Sequence, residues 1–265
     1  MIIRTSRDHG PTVGLDADGW RIVAASAVGP DHETAGKGCQ DAFAVAVSEG
    51  IAIVVVCDGA GSAVHAAEGA TAFSCRIAEI LAARIAKEDA ADVAKLRKMV
   101  IGAVMDCRAK LFEEGQTISD FDATMVTLIA TPEGSLVAHV GDGLAGISPD
   151  ADWDDSLLSL PENGEYSNMT FFVTEDTWEE HLRCESFPAL GTAGVAVLMT
   201  DGAMPFVIGK SERGLEADFM EPVTQFLRQS EPEDAARSLR ETLGLARPPK
   251  FNGDDKTLIW LGRVA

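Results

Sequence analysis

The sequence predicts a single α+β domain that spans residues 1–265. Apolar runs of strand length recur along the chain, and several of them end in Asp-Gly. Two long stretches with apolar residues at helical spacing follow the early strands, and two shorter ones precede the last strand. No 20 to 50 residue repeat or low-complexity tract divides the chain, and a 46% apolar content is ample for one core.

Charge and cysteine content exclude several classes of protein. The chain has 22 Lys+Arg and 42 Asp+Glu, a formal net charge of −20, which argues against nucleic acid or an anionic membrane as a main partner. An anionic substrate remains compatible if metal ions reverse the local field. The five cysteines are scattered without zinc or redox spacing, and no stretch is typical of a signal peptide or membrane span. We therefore expect a cytoplasmic protein with reduced thiols.

The first predicted strands cover 20–28, 42–47 and 51–58, the last with the sequence IAIVVVCD. Asp41 comes just before one strand and Asp58 ends the next, and the residues Ser48-Glu49-Gly50 between the strands are typical of a hairpin turn. Antiparallel pairing across that turn would set Asp41 beside Asp58.

Two helices are predicted next, over 63–87 and 92–114, with Ser62 as the N-cap of the first. Their apolar stripes are predicted to pack in the core; these stripes are Ala66, Ala70, Phe73, Ile77 and Ile80 in the first helix, and Val93, Leu96, Val100, Val104, Cys107 and Leu111 in the second.

Strands resume at 124–130, 136–140 and 144–147. Between 148 and 194 the pattern weakens, and only 169–174 (MTFFVT) is predicted to be a strand. After Asp201-Gly202 we expect a short helical turn, helices over 215–228 and 232–243, and a closing strand over 256–261.

Four acidic residues lie at the ends of these predicted strands. Asp58, Asp142 and Asp201 each follow an apolar run and precede a glycine, and Asp254 comes just before the last strand. Asp-Gly is a common turn dipeptide, so any single example, such as Asp18-Gly19, predicts only a turn. Strands packed side by side would bring the four carboxylates to one rim, where like charges raise each other's pKa and divalent cations relieve the repulsion.

The order of the motifs resembles the metal-dependent Ser/Thr protein phosphatases of the protein phosphatase 2C (PPM) type over nearly the whole chain. The segment 163–172 (NGEYSNMTFF) is similar to the bacterial branch of that family. The matching motifs, in chain order, are Asp41 in GCQDAF, Asp58-Gly59 in CDGAGS, Asp122-Ala123-Thr124, Asp142 in VGDG, Asp201-Gly202 in MTDGAM and Asp254 in GDDKTL.

This resemblance implies a four-layer α-β-β-α sandwich, in which two packed antiparallel sheets are flanked by helix pairs. It implies that Asp58 bridges two metal ions, with the Gly59 carbonyl on one of them. It also implies that Asp201 and Asp254 hold one ion directly and that Asp41 acts partly through water. Asp142 would join Asp201 at a third, weaker site.

All-oxygen ligation favours Mn²⁺ or Mg²⁺. Two such ions would activate a water molecule for in-line attack on phosphorus, which makes Asp58 and Asp201 the central catalytic candidates. The implied substrate is a phosphoserine or phosphothreonine protein, and the implied partner is a cognate Ser/Thr kinase.

Three positions depart from the family pattern. Gly36 stands where fuller family members carry a phosphate-gripping Arg, and Lys37 and His32 are the nearby candidates to replace it, although Lys lacks the bidentate fork. Ala60 stands where many relatives have a His that protonates the leaving group, and His65 is its candidate substitute. Asp255 stands where the family usually has Asn.

Two other functions compete with the phosphatase. A pseudophosphatase would keep the fold and metal site to bind a phosphorylated partner; the departures favour it, whereas the complete carboxylate set disfavours it. A Rossmann-like nucleotide binder is suggested by DGAGSA after a strand, but the third glycine of that fingerprint falls at Val64.

Overall fold

The structure is a computed structural model, and it describes residues 1–85, 92–113, 117–153, 155–162, 170–208, 214–245 and 253–264, without the side chains of 112 and 113. These residues form two six-stranded antiparallel sheets. The first sheet has the order β1-β4-β5-β6-β7-β10, with strands Ile2–Thr5, Asp41–Ser48, Ile51–Asp58, Met125–Ala130, Ser135–Val140 and Arg183–Phe187. The second has the order β2-β3-β12-β11-β8-β9, with strands Thr12–Ala17, Trp20–Ala27, Lys256–Arg263, Val195–Met199, Leu144–Ser148 and Leu157–Ser159.

Helices cover the outer faces of both sheets. The described helices are α1 (Ser6–His9), α2 (Pro30–Thr34), α3 (Ala66–Arg84), α4 (Val93–Glu113), α5 (Trp178–His181), α6 (Met204–Val207), α7 (Ala217–Gln229) and α8 (Pro232–Leu243). Helices α3 and α4 pack on the first sheet, and α7 and α8 pack on the second. The four-layer α-β-β-α sandwich predicted from the sequence is therefore confirmed.

Strand alternation divides the interior into three apolar layers. In β4, for example, Ala42, Ala44 and Ala46 face the helix layer, whereas Phe43 and Val45 face the second sheet. The predicted stripes of α3 and α4 lie in the helix layer, except that Ala66 is buried outside this cluster and Val93 is half-buried against it, so their prediction as core is largely confirmed. The remaining layer lies between the second sheet and α7 with α8.

The hairpin of β4 and β5 fixes the position of the first two acidic motifs. Glu49 and Gly50 at its turn both have positive φ, 53° and 79°, a combination typical of a type I′ turn. The resulting register pairs Asp41 directly with Asp58, as the sequence predicts.

Several local predictions are wrong. Ser62 is not an N-cap: α3 begins at Ala66 after a turn in which Ala63 N–H bonds the Ala60 carbonyl, and His65 occupies the cap position without a side-chain cap bond. The predicted strand at 169–174 is not formed over 171–174, which is a loop held by the Val173 N–H on the Ala123 carbonyl.

Other sequence predictions fall partly outside the described residues. Residues 163–169, which contain most of the segment similar to the bacterial branch, lie there, as do the predicted ends of the first two long helices at 87 and 114. Four described strands, β1, β2, β9 and β10, were not predicted because they are short edge strands with weak apolar alternation. None of the helices in the described ranges combines the length and apolar character needed to cross a membrane.

Candidate metal centre

The Asp41–Asp58 pair lies where the β4–β5 hairpin opens at one end of the sandwich. Thr124, just before β6, holds the backbone of Asp58 in place. Its side-chain Oγ1 accepts the Asp58 N–H at 3.1 Å, and its backbone N–H donates to the Asp58 carbonyl at 2.9 Å. The neighbouring Gly59 donates its N–H to the Gln40 carbonyl at 3.2 Å, and a Cβ there would lie 2.3 Å from the Ala66 carbonyl oxygen. Only glycine fits this contact between the Asp58 loop and the start of α3.

Thr200 connects the two sheets at the centre. Its hydroxyl donates to Asp41 Oδ2 at 2.8 Å and accepts the Thr257 N–H at 3.0 Å. One side chain at the end of β11 therefore orients a carboxylate on the opposite sheet.

Asp201 and Asp254 approach each other through a close backbone contact. Asp201 opens the 3₁₀ turn Asp201–Ala203, and Asp254 precedes β12, which pairs with β11. A Cβ on Gly202 would lie 1.9 Å from the Asp255 carbonyl oxygen, so the two loops touch at a position that only glycine allows. The Asp254 carboxylate accepts the Asp255 N–H at 2.9 Å.

Asp142 is held at the same end by the loop between β7 and β8. Gly141 has φ 106°, a conformation that favours glycine, and its carbonyl accepts the Glu162 N–H at 2.9 Å. Burial raises the pKa of Asp142, and a hydrogen bond from Thr170 opposes that rise. The negative charge of Asp254 raises the pKa further, which places the two carboxylates in one electrostatic group.

The pKa values of the carboxylates show that the five acids act as one cluster. Burial raises the pKa of Asp58 well above its usual range, and the charges of Asp41, Asp201, Asp254 and Asp142 raise it further. Burial and the nearby charge of Asp255 raise the pKa of Asp41 to about 8. Burial, Asp142 and Asp254 raise the pKa of Asp201 to about 6. The repulsion predicted from the sequence is thus present.

The donor set fits a divalent cation. Asp41 Oδ1 and Asp201 Oδ1 are buried oxygens without a hydrogen-bond partner in the described part of the chain. Such orphaned carboxylate oxygens are costly unless a cation compensates them. Carboxylate and carbonyl oxygens are hard ligands that suit Mg²⁺ or Mn²⁺.

Asp255 organises the loop that contains Gly36 and Lys37. The Asp255 carboxylate is buried; its Oδ1 accepts the Gly29 N–H at 2.7 Å, and its Oδ2 accepts the Gln40 N–H at 2.6 Å and lies 2.8 Å from His32 Nδ1. Both ends of the loop 29–40 therefore bind one side chain, and an Asn there could offer only one oxygen for these three contacts.

Of the two candidates for the phosphate grip, His32 is partly buried beside Asp255 and Lys37 is exposed to solvent. His32 is engaged by Asp255, and the possible ligand atoms of His32, Asp254 and Asp255 lie within 4.8 Å of one another. Lys37 is exposed on the turn after α2, and its N–H bonds the His32 carbonyl at 2.8 Å. Gly36 beside it has φ 67° and open space around its Cα.

His65 lies away from the hydrogen bonds of the carboxylate cluster. Its ring stacks on Phe121 with centroids 5.1 Å apart, its Nδ1 is 3.8 Å from Glu68 Oε1, and its N–H bonds the Asp120 carbonyl. It lines a cavity of about 470 Å³ between α1, α3 and α4. Ala60, at the position of the missing family His, donates its N–H to the Asp122 carbonyl at 2.9 Å.

Sequence reasoning missed the residues that orient the carboxylates. Thr200 and Thr257 lie at the end and the start of apolar strands, where a single hydroxyl has no distinctive pattern. The only sequence signal for Thr200 is its position directly before the Asp201-Gly202 pair. The role of Asp255 was missed because its partners are separated from it by more than 200 residues.

Comparison with known proteins gives one family and several relatives. The family model for "Protein phosphatase 2C" matches residues 28–244. A serine/threonine-protein phosphatase 3 of Escherichia coli (strain K12) is 29% identical over 251 residues, which cover 90% of this chain and 96% of that protein.

Solved structures show the same fold at low sequence identity. PppA, described as a key regulatory component of T6SS in Pseudomonas aeruginosa, has a TM-score of 0.63 and 19% identity, covering 92% of this chain and 98% of that one. The catalytic domain of the serine threonine protein phosphatase PstP, in complex with 2 manganese ions, has a TM-score of 0.60 and 15% identity, covering 93% and 99%.

Proposed function

Because this chain belongs to the protein phosphatase 2C family, we propose that it hydrolyses phosphoserine and phosphothreonine in proteins by direct attack of water on phosphorus. The family makes it a metal-dependent protein-serine/threonine phosphatase. The observation that carries the proposal is the cluster of five carboxylates at one end of the sandwich, with two buried oxygens that lack a partner among the described residues.

The proposed metal ligands are Asp41, Asp58, Asp142, Asp201 and Asp254, with the carbonyl of Gly59. Asp58 would contact both core ions, Asp201 and Asp254 would hold one of them directly, and Asp41 would act partly through water. Asp142 would join Asp201 at a third ion. Bound Mn²⁺ or Mg²⁺ would lower the pKa of a water molecule and neutralise the phosphoryl oxygens.

The residues of the chain itself contribute orientation. The Thr200 hydroxyl fixes one oxygen of Asp41 and leaves the other available, and Thr124 fixes the backbone of Asp58. Lys37 is proposed to attract the substrate phosphate, since its exposed ammonium lies on the loop anchored by Asp255. His32 would support that loop through its contact with Asp255, and His65 is proposed as the proton donor to the leaving group.

The proposed setting is a cytoplasmic signalling pathway with a cognate Ser/Thr kinase. Support comes from the description of one structural relative as a regulatory component and from the five free thiols, which suit a reducing compartment. We propose further that residues 1–265 form a single catalytic domain.

The test is hydrolysis of p-nitrophenyl phosphate and of a phosphothreonine peptide, with Mn²⁺ titrated from zero and EDTA as the metal-free control. Asp58→Asn should lower turnover by at least about 10³-fold, because it removes one ligand charge from the centre of the cluster. The matched control is Asp18→Asn, which makes the same change in an Asp-Gly pair at a positive-φ turn outside the cluster.

The proposal is supported if hydrolysis strictly requires metal and if the activity is lost in Asp58→Asn but kept in Asp18→Asn. Near wild-type activity in Asp58→Asn would overturn the assignment of that residue. Mn²⁺ binding by calorimetry without turnover of either substrate would overturn the hydrolase proposal in favour of the pseudophosphatase.

A further inference from the structure

A second cavity, of about 440 Å³, lies at the edge of the sandwich where β1 of one sheet meets β2 of the other. Four basic residues line it: Arg4 on β1, His9 on α1, and Arg237 and Arg240 on α8. Glu233 is the one acidic residue among its described lining residues. This excess of basic groups contrasts with the net charge of −20 of the whole chain.

The charges of this edge cavity are incompletely neutralised. Arg237 pairs with Asp234, but within the described ranges neither Arg4 nor Arg240 has a carboxylate in salt-bridge contact. Arg4 is half-buried, and the hydrogen bond that it makes is to the carbonyl of its neighbour Ile3, at 3.0 Å. The Arg4 guanidinium is therefore left with donors that no carboxylate of the described residues takes up.

The basic groups of the cavity come from three elements, β1, α1 and α8. Arg4 pairs with Val45, whose side chain faces the second sheet, so the Arg4 side chain leaves β1 on the side of β2. His9 Nδ1 accepts the Thr5 N–H at 3.3 Å, so the neutral ring carries its proton on Nε2. Guanidinium groups bind phosphoryl oxygens in a bidentate manner, which is the usual way that proteins recognise phosphorylated residues.

The strand register gives the separation between the edge cavity and the carboxylate cluster along the strand direction. In the β1–β4 register Arg4 is opposite Val45, four residues along β4 from Asp41. Four strand residues span about 13 Å, which an extended peptide covers in about four to six residues.

We propose that this cavity binds a second phosphoryl group of the protein substrate, one that is recognised but not hydrolysed. The inference rests on the proposed function, because it makes the substrate a multiply phosphorylated segment. The second group would lie about four to six residues from the phosphothreonine that is hydrolysed.

The test measures the KM of the wild-type protein for three peptides at saturating Mn²⁺. The first has one phosphothreonine, the second adds a non-hydrolysable phosphonate analogue of phosphoserine five residues away on either side, and the third has Glu at that position. The wild-type KM should be at least about fivefold lower for the phosphonate peptide than for the other two. Equal KM values for the phosphonate and Glu peptides, or for all three, would overturn the proposal.

The variant Arg4→Gln/Arg240→Gln should lose this preference. The matched control Arg84→Gln/Lys98→Gln removes the same charge from exposed positions on α3 and α4 and should keep it. Equal loss in both variants would show a general charge effect and would overturn the site. If the double variant does not fold, Arg240→Gln alone is used, because Arg240 is exposed on α8.

A refutation of the proposed hydrolase function can be told apart from a refutation of phosphoryl binding at the edge cavity. If the wild-type protein hydrolyses none of the peptides, fluorescence anisotropy of the labelled phosphonate peptide still measures binding. Tighter binding by the wild-type than by the Arg4→Gln/Arg240→Gln variant supports the cavity without turnover, and equal binding overturns it.

Discussion

Removal of metal should make the stability of this protein fall as the pH rises. In the metal-free protein the pKa of Asp41 is raised from 3.8 to about 8 by burial and by the charge of Asp255, and the pKa of Asp58 is raised well above its usual range. The native state therefore keeps protons that the unfolded chain has lost, and the free energy of unfolding decreases with pH until the native carboxyl groups ionise. Between pH 6.5 and 8, Asp41 alone corresponds to a loss of about 1.6 kcal/mol, because the slope of about 1.4 kcal/mol per pH unit falls to half as the pH reaches the native pKa.

This pH range separates the effect of the carboxylates from that of His139, which makes stability rise with pH instead. Burial and the nearby Arg183 lower the pKa of His139 from 6.5 to about 3, so its contribution to stability is lost as the pH falls below 6.5 and rises by only about 0.4 kcal/mol between pH 6.5 and 8. Above pH 6.5 the carboxylates should therefore dominate.

The assay is urea unfolding at pH 6.5, 7, 7.5 and 8, in EDTA and in saturating Mn²⁺. The free energy of unfolding should fall with pH in EDTA, should fall less in Mn²⁺ because bound ions keep the carboxylates ionised, and should fall less in metal-free Asp41→Asn. A free energy of unfolding in EDTA that is constant or rises from pH 6.5 to 8 would refute the reasoning.

Three further substitutions test individual contacts. Gly202→Ala would place its Cβ 1.9 Å from a backbone carbonyl oxygen, so chemical denaturation should show a loss of about 2–3 kcal/mol together with weaker Mn²⁺ binding; unchanged metal affinity would contradict this. Thr200→Val should destabilise the fold by about 1–3 kcal/mol, because it leaves the Asp41 carboxylate without its hydroxyl donor, whereas Thr200→Ser keeps that donor and should be mild; equal effects would argue against the hydrogen bond. Gly36→Arg places an arginine in open space at φ 67°, so it should lower the KM for a phosphopeptide severalfold and destabilise the fold by about 1 kcal/mol. The control Gly38→Arg, also in open space, should leave the KM unchanged. The same KM in both variants would be evidence against a phosphate grip at Gly36.

The sequence predicts well those features that depend on strong local patterns. The family membership, the four-layer fold and the pairing of Asp41 with Asp58 are confirmed, because apolar strands and a tight turn fix the register of that hairpin. The two long helices were found to within a few residues at their described ends, since their apolar stripes are continuous.

The features that the sequence does not predict depend on tertiary contacts. Ser62 has the residue type of an N-cap, but the hydrogen bond of His65 N–H to the Asp120 carbonyl sets the start of α3 instead. The aromatic run at 171–172 favours a strand locally, yet it forms a loop that bonds the segment before β6. Asp255 stands where the family usually has Asn, and its three contacts form only when residues 29–40 fold against it.

The turn between β4 and β5 fixes the register of the candidate metal centre from the opposite end of the hairpin. Glu49 and Gly50 are eight or nine residues from Asp41 and from Asp58, a distance of about 26 Å along the strands. A slip of one residue at this turn would separate the two aspartates and turn every buried side chain of β4 to the opposite face. The arrangement of the two aspartates therefore depends on a two-residue turn at the far end of the hairpin, where a residue that accepts positive φ better than Glu49, such as Asn, would strengthen the fold.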